Sequence, residues 1–488
     1  MKKTLFTFGL FVILVGSGYA QIGKEQEDDF KKFKQQQQQD FQKYKDARDK
    51  EFASFLKQRW EEMHPQLAKK KTPAKPKPKK QPAFDRDKVV GITAQKIGIS
   101  TPKPLTIKPH KINIPKPKVV VEEDKGSGKQ LQFSFYNSKV DLNYDANFLI
   151  NVSEINENAI ATYWEKMSDT QYYAFLEETL DIKDSLLLND WAYYLLLKKV
   201  ASEIYPENRM NEQHLFVWFV LSKAGYQSKV ARIDNGIGLL LPFQNKIYGK
   251  PFVTINSTKY YIVSPVNKGA RIFTYAKNYP DTDLILDMNI YKPLHVGSEM
   301  KSKEFSFSYD GKKYSFDIVY SPSSIALYQD VLSSDFQVYF EGQINEETRQ
   351  SLHAGLKPII KGKSEKVALN ILLRFVQTAF EYKTDGDQFG REKYFFAEEL
   401  FHFDYSDCED RSILFAYLTR DLLDLQVIGL DFPGHIATAV LLNEEVEGDY
   451  ISYDNKKYLI CDPTYINADI GMAMPKFKTA KVEVIPLY

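Results

Sequence analysis

The chain has 488 residues, 43% hydrophobic and 14% aromatic, and its 65 basic and 64 acidic residues leave a net charge of +1. That length accommodates two or three domains, and the apolar content supports packed cores. The charge balance excludes nucleic-acid binding driven by bulk charge. The sequence carries no phosphate-cradling loop, paired-cysteine site or His-Glu-x-x-His motif, so neither metal nor organic cofactor is expected.

At the N-terminus Lys2 and Lys3 precede an apolar run from Leu5 to Val15, followed by Gly18-Tyr19-Ala20. This is the composition of a secretory signal, with an apolar run too short to span a membrane. It predicts an exported chain, periplasmic or secreted. In the Gln-rich stretch that follows, aromatic pairs recur every eleven residues: Phe30/Phe33, Phe41/Tyr44 and Phe52/Phe55. That period keeps one stripe along a nearly straight helix. It predicts a helix that self-associates or docks on a partner, against the plainer reading of a solvated charged helix. From Lys69 to Pro82 the chain alternates Lys, Pro and Ala, and Pro102, Pro104, Pro109, Pro115 and Pro117 continue the theme. Proline and like-charge repulsion predict an extended linker.

Residues 130–152 alternate as strands, and residues 160–205 carry apolar side chains at helical spacing. Residues 250–345 read as strands, with Asp310-Gly311 as a hairpin turn signal.

Three residues near the C-terminus suit nucleophilic catalysis. Cys408 lies in Tyr-Ser-Asp-Cys-Glu-Asp-Arg-Ser, before apolar residues at helical spacing: Ile413, Leu414, Tyr417, Leu418 and Leu422. A thiol in the first turn of a helix faces unsatisfied N–H groups and the positive end of the macrodipole, which favours the thiolate. Asp407 is placed to cap that helix, while Glu409 and Asp410 in its first turn oppose thiolate formation. A cationic partner is therefore needed. His435, opening the strand-like His-Ile-Ala-Thr-Ala-Val-Leu-Leu, supplies one as a base, and Asp462 in Leu-Ile-Cys-Asp-Pro-Thr-Tyr can orient it. The backbone N–H of Cys408 is one oxyanion donor.

The stretches Asp-Cys-Glu-Asp-Arg-Ser-Ile-Leu-Phe, Gly-His-Ile-Ala-Thr-Ala-Val and Tyr-Leu-Ile-Cys-Asp-Pro-Thr-Tyr resemble the transglutaminase-like superfamily over roughly residues 365–475. The resemblance implies a papain-like plan with Cys408 as nucleophile, His435 as base and Asp462 as its orienter. It also implies a preceding helix from Glu365 to Tyr382, on which Gln377 is a candidate second oxyanion donor. An exported chain whose two cysteines are Cys408 and Cys461 could instead join them in a disulfide. Strand alternation opposes this by turning Cys461 away from the face that carries Asp462.

An offset of 198 residues superposes the C-terminal motif on an upstream stretch. It places Met210, Ile237 and Ser264 opposite Cys408, His435 and Asp462, and Glu212–Ala224 opposite Asp410–Leu422. None of the three upstream residues can replace its counterpart chemically, so an inactive copy is expected. His214 on its helix reads as a packing or surface residue.

The expected fold is α+β. The chain divides into a signal segment at 1–20, a charged helix at 21–67, a Pro/Lys-rich linker at 68–128, a degenerate transglutaminase-like domain at 129–270, a β-rich segment at 271–360 and a catalytic domain at 361–488. The expected activity is acyl transfer on a protein or peptide substrate through a Cys408 thioester, with hydrolysis favoured over crosslinking. The competing expectation is a non-catalytic surface or assembly protein whose two modules bind rather than react.

Overall fold

The computed structural model describes residues 46–67, 94–100 and 128–487. The expected signal segment, the part of the expected charged helix before residue 46 and most of the expected linker lie outside the described residues. The fold is α+β, and each of its two halves runs from a β-hairpin through helices to a five-strand antiparallel run.

The first half opens on a hairpin of β4 (Gly128–Phe135) and β5 (Ser138–Asp145). Four helices follow: α2 (Glu157–Ser168), α3 (Tyr172–Ser185), α4 (Asp190–Ile204) and α5 (Met210–Lys223). The half closes with β6 (Lys229–Ile233), β7 (Gly236–Pro242), β8 (Pro251–Ile255), β9 (Thr258–Ile262) and β10 (Ile272–Thr274). Asn156 and Asn189 cap α2 and α4 by accepting the N–H groups of Ala159 and Ala192.

The second half opens on β11 (Lys301–Tyr309) and β12 (Lys312–Tyr320). Their turn is Asp310-Gly311, both at positive φ as a two-residue hairpin loop requires. The strand expectation fails beyond it: residues 322–360 form α6 (Pro322–Gln329), α7 (Phe336–Glu341) and α8 (Glu346–Ile360). Ser321 caps α6 with Pro322 in its first turn. The core face of α8, Thr348, Leu352, Leu356 and Ile360, has helical rather than alternating spacing.

Next come α9 (Glu365–Thr378), β13 (Glu381–Tyr382), α10 (Asp385–Phe389), α11 (Glu399–His402), β14 (Tyr405–Ser406) and α12 (Cys408–Leu423). The last sheet holds β15 (Val427–Phe432), β16 (His435–Leu441), β17 (Tyr450–Tyr453), β18 (Lys456–Cys461) and β19 (Glu483–Ile485).

Within the two sheets these strands have the same order, β10-β6-β7-β9-β8 and β19-β15-β16-β18-β17, antiparallel throughout. The β8–β9 and β17–β18 hairpins have left-handed loops at Asn256-Ser257 and Asp454-Asn455, and their registers coincide at the 198-residue offset (Ile255↔Thr258, Tyr453↔Lys456).

Each sheet is finished by a strand from far upstream. In the first half β1 (Glu61–Met63) pairs with β10 at one edge and β2 (Gln66–Leu67) with β8 at the other. Only His64 and Pro65 separate them, so one bent stretch touches both rims and closes the sheet on itself. In the second half β3 (Lys96–Ile97) lies parallel to β17, and Ile99 bridges Val482 beside β19 at the opposite rim. The expected linker thus contains a barrel strand. The stretch between Pro82 and Pro102 is free of proline and places Ile97 and Ile99 in alternation.

The expected aromatic helix is likewise spent within the chain where it is described. Over 46–56 the chain is helical, α1, and Phe52, Ala53 and Leu56 are fully buried. The Phe52 ring meets Trp164 at 4.8 Å and Tyr279 at 5.3 Å. Asp49 accepts from Trp164 Nε1 at 3.1 Å and pairs with Lys223. Each large apolar side chain so buried contributes about 1.5–3 kcal/mol. This end of the aromatic stripe therefore docks on α2 and α5 rather than on a partner.

Both faces of each sheet are apolar. In the second, Ile436, Val440, Leu459 and Cys461 join the large core shared with the helices. Ala437, Ala439 and Ile460 face an inner cluster with Ile97, Phe432, Phe477 and Val482. Among the described residues no helix is long and apolar enough to cross a membrane.

Candidate functional site

Cys408 is the first residue of α12 and is 4% exposed. The helix starts where the sequence places it. Asp407 and Asp410 form a capping box, in which Asp410 Oδ2 accepts the Asp407 N–H at 3.0 Å. Asp410 Oδ1 accepts the Phe395 N–H at 3.0 Å. The Cys408 thiol donates to Glu409 Oε2 at 2.9 Å. One turn along, Ser412 Oγ donates to the carbonyl of Ile436 at 3.0 Å. Ser412 is four residues after Cys408 and Ile436 is next to His435. This bond therefore sets the thiol-bearing helix start and the imidazole at one end of the helix–sheet layer.

His435 follows the Pro433-Gly434 turn, where Gly434 has φ +72°. Its Nε2–H donates to Asp462 Oδ2 at 2.8 Å, with both residues almost wholly buried. Nδ1 is then the nitrogen left to take a proton. The ring stacks on Phe477 with centroids 4.7 Å apart and planes 3° from parallel. Asp462 Oδ1 accepts from Thr464 N at 2.9 Å and Thr464 Oγ1 at 2.8 Å. Burial by itself raises the Asp462 carboxyl. The charge and bond of His435 and the bonds from Thr464 outweigh it and hold the group below its ordinary range.

Cys461 and Asp462 point apart, as strand alternation requires. Cys461 is in the large core and both cysteines are free, so the disulfide expectation is set aside. Burial pushes the Cys461 thiol far up, which makes it inert.

The expected oxyanion role of Gln377 fails. Its Nε2 donates to the carbonyls of Asp462 (3.2 Å), Tyr465 (2.9 Å) and Ala468 (3.1 Å), and its Oε1 accepts the Asn467 N–H at 3.1 Å. The amide is committed to holding the loop that follows Asp462. Gln377 is a positioning residue because α9 packs beneath that loop.

Acidic groups gather around the helix start. Donor atoms of Asp407, Cys408 and Glu409, of Asp385, Glu392 and Glu409, and of Asp385, Asp407 and Asp410 each lie within 4.8 Å of one another. Such spacing would suit a small hard cation, but a bare acidic cluster is no evidence of one. Buried carboxylates this close share protons instead. Burial first, then the charges of Asp385 and Glu409, push Asp410 well above the usual carboxylate range. Arg411 supplies buried positive charge beside them, and burial brings its guanidinium down to about 10. It donates to Ser406 Oγ and to the carbonyls of Gln377 and Phe380, tying α12 to the end of α9. Arg411 also lies under the half-exposed ring of Tyr382 at 5.3 Å. On α12 it is a charged residue inside an otherwise apolar face, a signal the sequence reading passed over.

In the first half Met210 opens α5 as Cys408 opens α12. Ser264 follows β9 as Asp462 follows β18, and its Oγ accepts the Leu239 N–H at 2.7 Å. The third counterpart shifts by one residue. Gly236 pairs with Ile233 directly after its turn, as His435 pairs with Phe432. Ile237 instead matches Ile436: its carbonyl meets His214 Nδ1 at 2.6 Å, as that of Ile436 meets Ser412. Gly236, not Ile237, therefore stands where His435 stands, and His214 is a packing residue.

Comparison of the chain with family models, with curated proteins and with solved structures finds no match.

Proposed function

We propose that the chain is an exported cysteine acyl-transfer enzyme of the transglutaminase-like, papain-like kind, acting on a protein or peptide amide. The observation that carries this reading is the bonded His435–Asp462 pair at the end of the sheet where α12 presents Cys408. In the reaction His435 Nδ1 takes the thiol proton and the sulfur attacks the amide carbonyl. The tetrahedral oxyanion forms near the N–H groups at the start of α12. The C–N bond then breaks, the leaving amine takes the proton from His435, and a thioester remains. Water or a second amine resolves it, with hydrolysis the favoured course.

We also infer that the halves descend from one duplicated unit whose first copy has lost its chemistry. The identical strand order, the matching hairpin loops and the matched helix–strand bonds of His214 and Ser412 support this. Met210 has no thiol to attack with, Gly236 has no side chain to relay a proton, and Ser264 carries no charge.

A second reading, a non-catalytic assembly module, has one observation in its favour: the Cys408 thiol is buried and its hydrogen is held by Glu409. An amide-mimicking thiol probe separates the two. Labelling lost in Cys408→Ala and kept in Cys461→Ala supports the enzyme, as does recovery of a Cys408 acyl adduct by mass spectrometry. A folded, reduced protein that takes no label supports the assembly module.

A further inference from the structure

We propose that residues 94–100 are a positioning strand for His435, a sixth barrel strand that holds Phe477 against the imidazole. The inference rests on the reading of His435 as the base.

The segment fills the slot between the two rims of the second sheet, and its bonds converge on the stretch that carries Phe477. Gln95 Nε2 donates to the Lys478 carbonyl at 3.2 Å. Ser100 donates to the Val482 carbonyl from both N (2.8 Å) and Oγ (2.9 Å). Val482 N donates back to Gly98 O at 3.3 Å. On the other side Tyr450 N donates to Gln95 O at 3.0 Å, and Gln95 N donates to Asp449 Oδ1 at 3.1 Å. The same buried Asp449 carboxylate receives Ala473 N at 2.9 Å and the Lys478 ammonium. Asp449 thus joins the strand to both ends of the turn around Phe477. Ile97 is 1% exposed in the cluster that also contains Phe477, Phe432 and Val482.

The Phe477 ring covers one face of His435 and meets Phe432 at 4.9 Å. A planar neighbour at 3° fixes the rotation of the imidazole, keeping Nε2 on Asp462 and Nδ1 free. With the strand gone, residues 473–482 lose four hydrogen bonds (those of Gln95 Nε2, Ser100 N, Ser100 Oγ and Gly98 O) and the side chain beneath them. The aromatic stack then loses its support.

The test uses the full chain, labelled at its histidine rings for NMR, and iodoacetamide as the thiol probe. In wild type the His435 ring signals should carry the displacement of a stacked phenyl ring. Ile97→Asp should abolish that displacement and slow Cys408 alkylation about ten-fold or more through loss of the base. The synthetic peptide Ala-Gln-Lys-Ile-Gly-Ile-Ser, added in excess, should restore both. Ile97→Val should leave both intact. If Ile97→Asp does not fold, Phe477→Leu provides the test: the same slowing is expected, without rescue by the peptide. Unchanged His435 signals and alkylation in a folded Ile97→Asp protein, or unchanged alkylation in Phe477→Leu, overturn the proposal. Wild-type Cys408 that resists alkylation while its His435 signals respond to Ile97→Asp overturns the enzymatic reading and leaves the strand's hold on the ring standing.

Discussion

Gln377 Nε2 donates to the main-chain carbonyl of Asp462 at 3.2 Å, so α9 sets the backbone of the residue that orients His435. Gln377→Leu should leave three buried carbonyls without this donor. At about 1 kcal/mol for each lost hydrogen bond, the expected destabilisation is roughly 2–3 kcal/mol, read by urea unfolding. Probe labelling of Cys408 should fall with it, whereas labelling preserved at full rate in a folded variant would show that Asp462 needs no such support.

His435→Ala should lower acylation of Cys408 by about 10²–10⁴-fold while the fold persists, which is the usual contribution of a positioned base. Asp462→Asn should have an effect of similar size, because Thr464 keeps the amide oxygen on its own side and turns the amide N–H toward His435, holding the ring in the tautomer whose Nδ1 already carries the proton. Single-turnover probe kinetics and circular dichroism check both. An unaltered rate in His435→Ala would remove this residue from the chemistry.

The cysteines should differ sharply towards alkylating agents. Native protein should take label at Cys408 and none at Cys461, whose thiol burial keeps protonated. Peptide mapping after brief iodoacetamide treatment decides it, and unfolding should make the sites equivalent.

Two carboxyl groups bind stability to pH with opposite signs. Asp462 is depressed in the fold, so its contribution is present above the ordinary aspartate value of about 3.9 and is lost as pH falls through its lower folded value. Asp410 is raised, so its contribution is present below that ordinary value and is lost as pH rises toward its folded value. Glu409→Gln removes one of the charges that raise Asp410. It should stabilise the protein at pH values where Asp410 ionises, and the gain should vanish toward pH 4. Urea unfolding across that range measures it. A gain independent of pH would point to packing instead.

Much of this architecture was legible in the chain because its signals are local. The start of α12 at Cys408, the Asp310-Gly311 turn and the alternation that parts Cys461 from Asp462 each depend on a few adjacent residues. The likeness of the two sheets was legible for the same reason, since the starts of α5 and α12 and the β8–β9 and β17–β18 loops recur at one spacing. The counterpart of His435 was misplaced because β15 is one residue longer than β6, and a constant offset cannot follow that insertion. Long-range contacts were not legible. β1, β2 and β3 are two or three residues long, and their strand character is conferred by sheet rims hundreds of residues away. Gln377 was read as a reactive donor because its carbonyl partners belong to a loop some ninety residues downstream. The role of Phe477 shows only in the ring it covers.

The late-arriving staves of the two barrels bear on how this protein can be shortened. A fragment beginning at residue 128 would keep α2 to α12 and still present raw, unpaired backbone along four seams. Exposed seams of that kind recruit neighbouring molecules into stacks. Such a fragment should therefore precipitate rather than fold quietly, although by sequence it looks like the globular part.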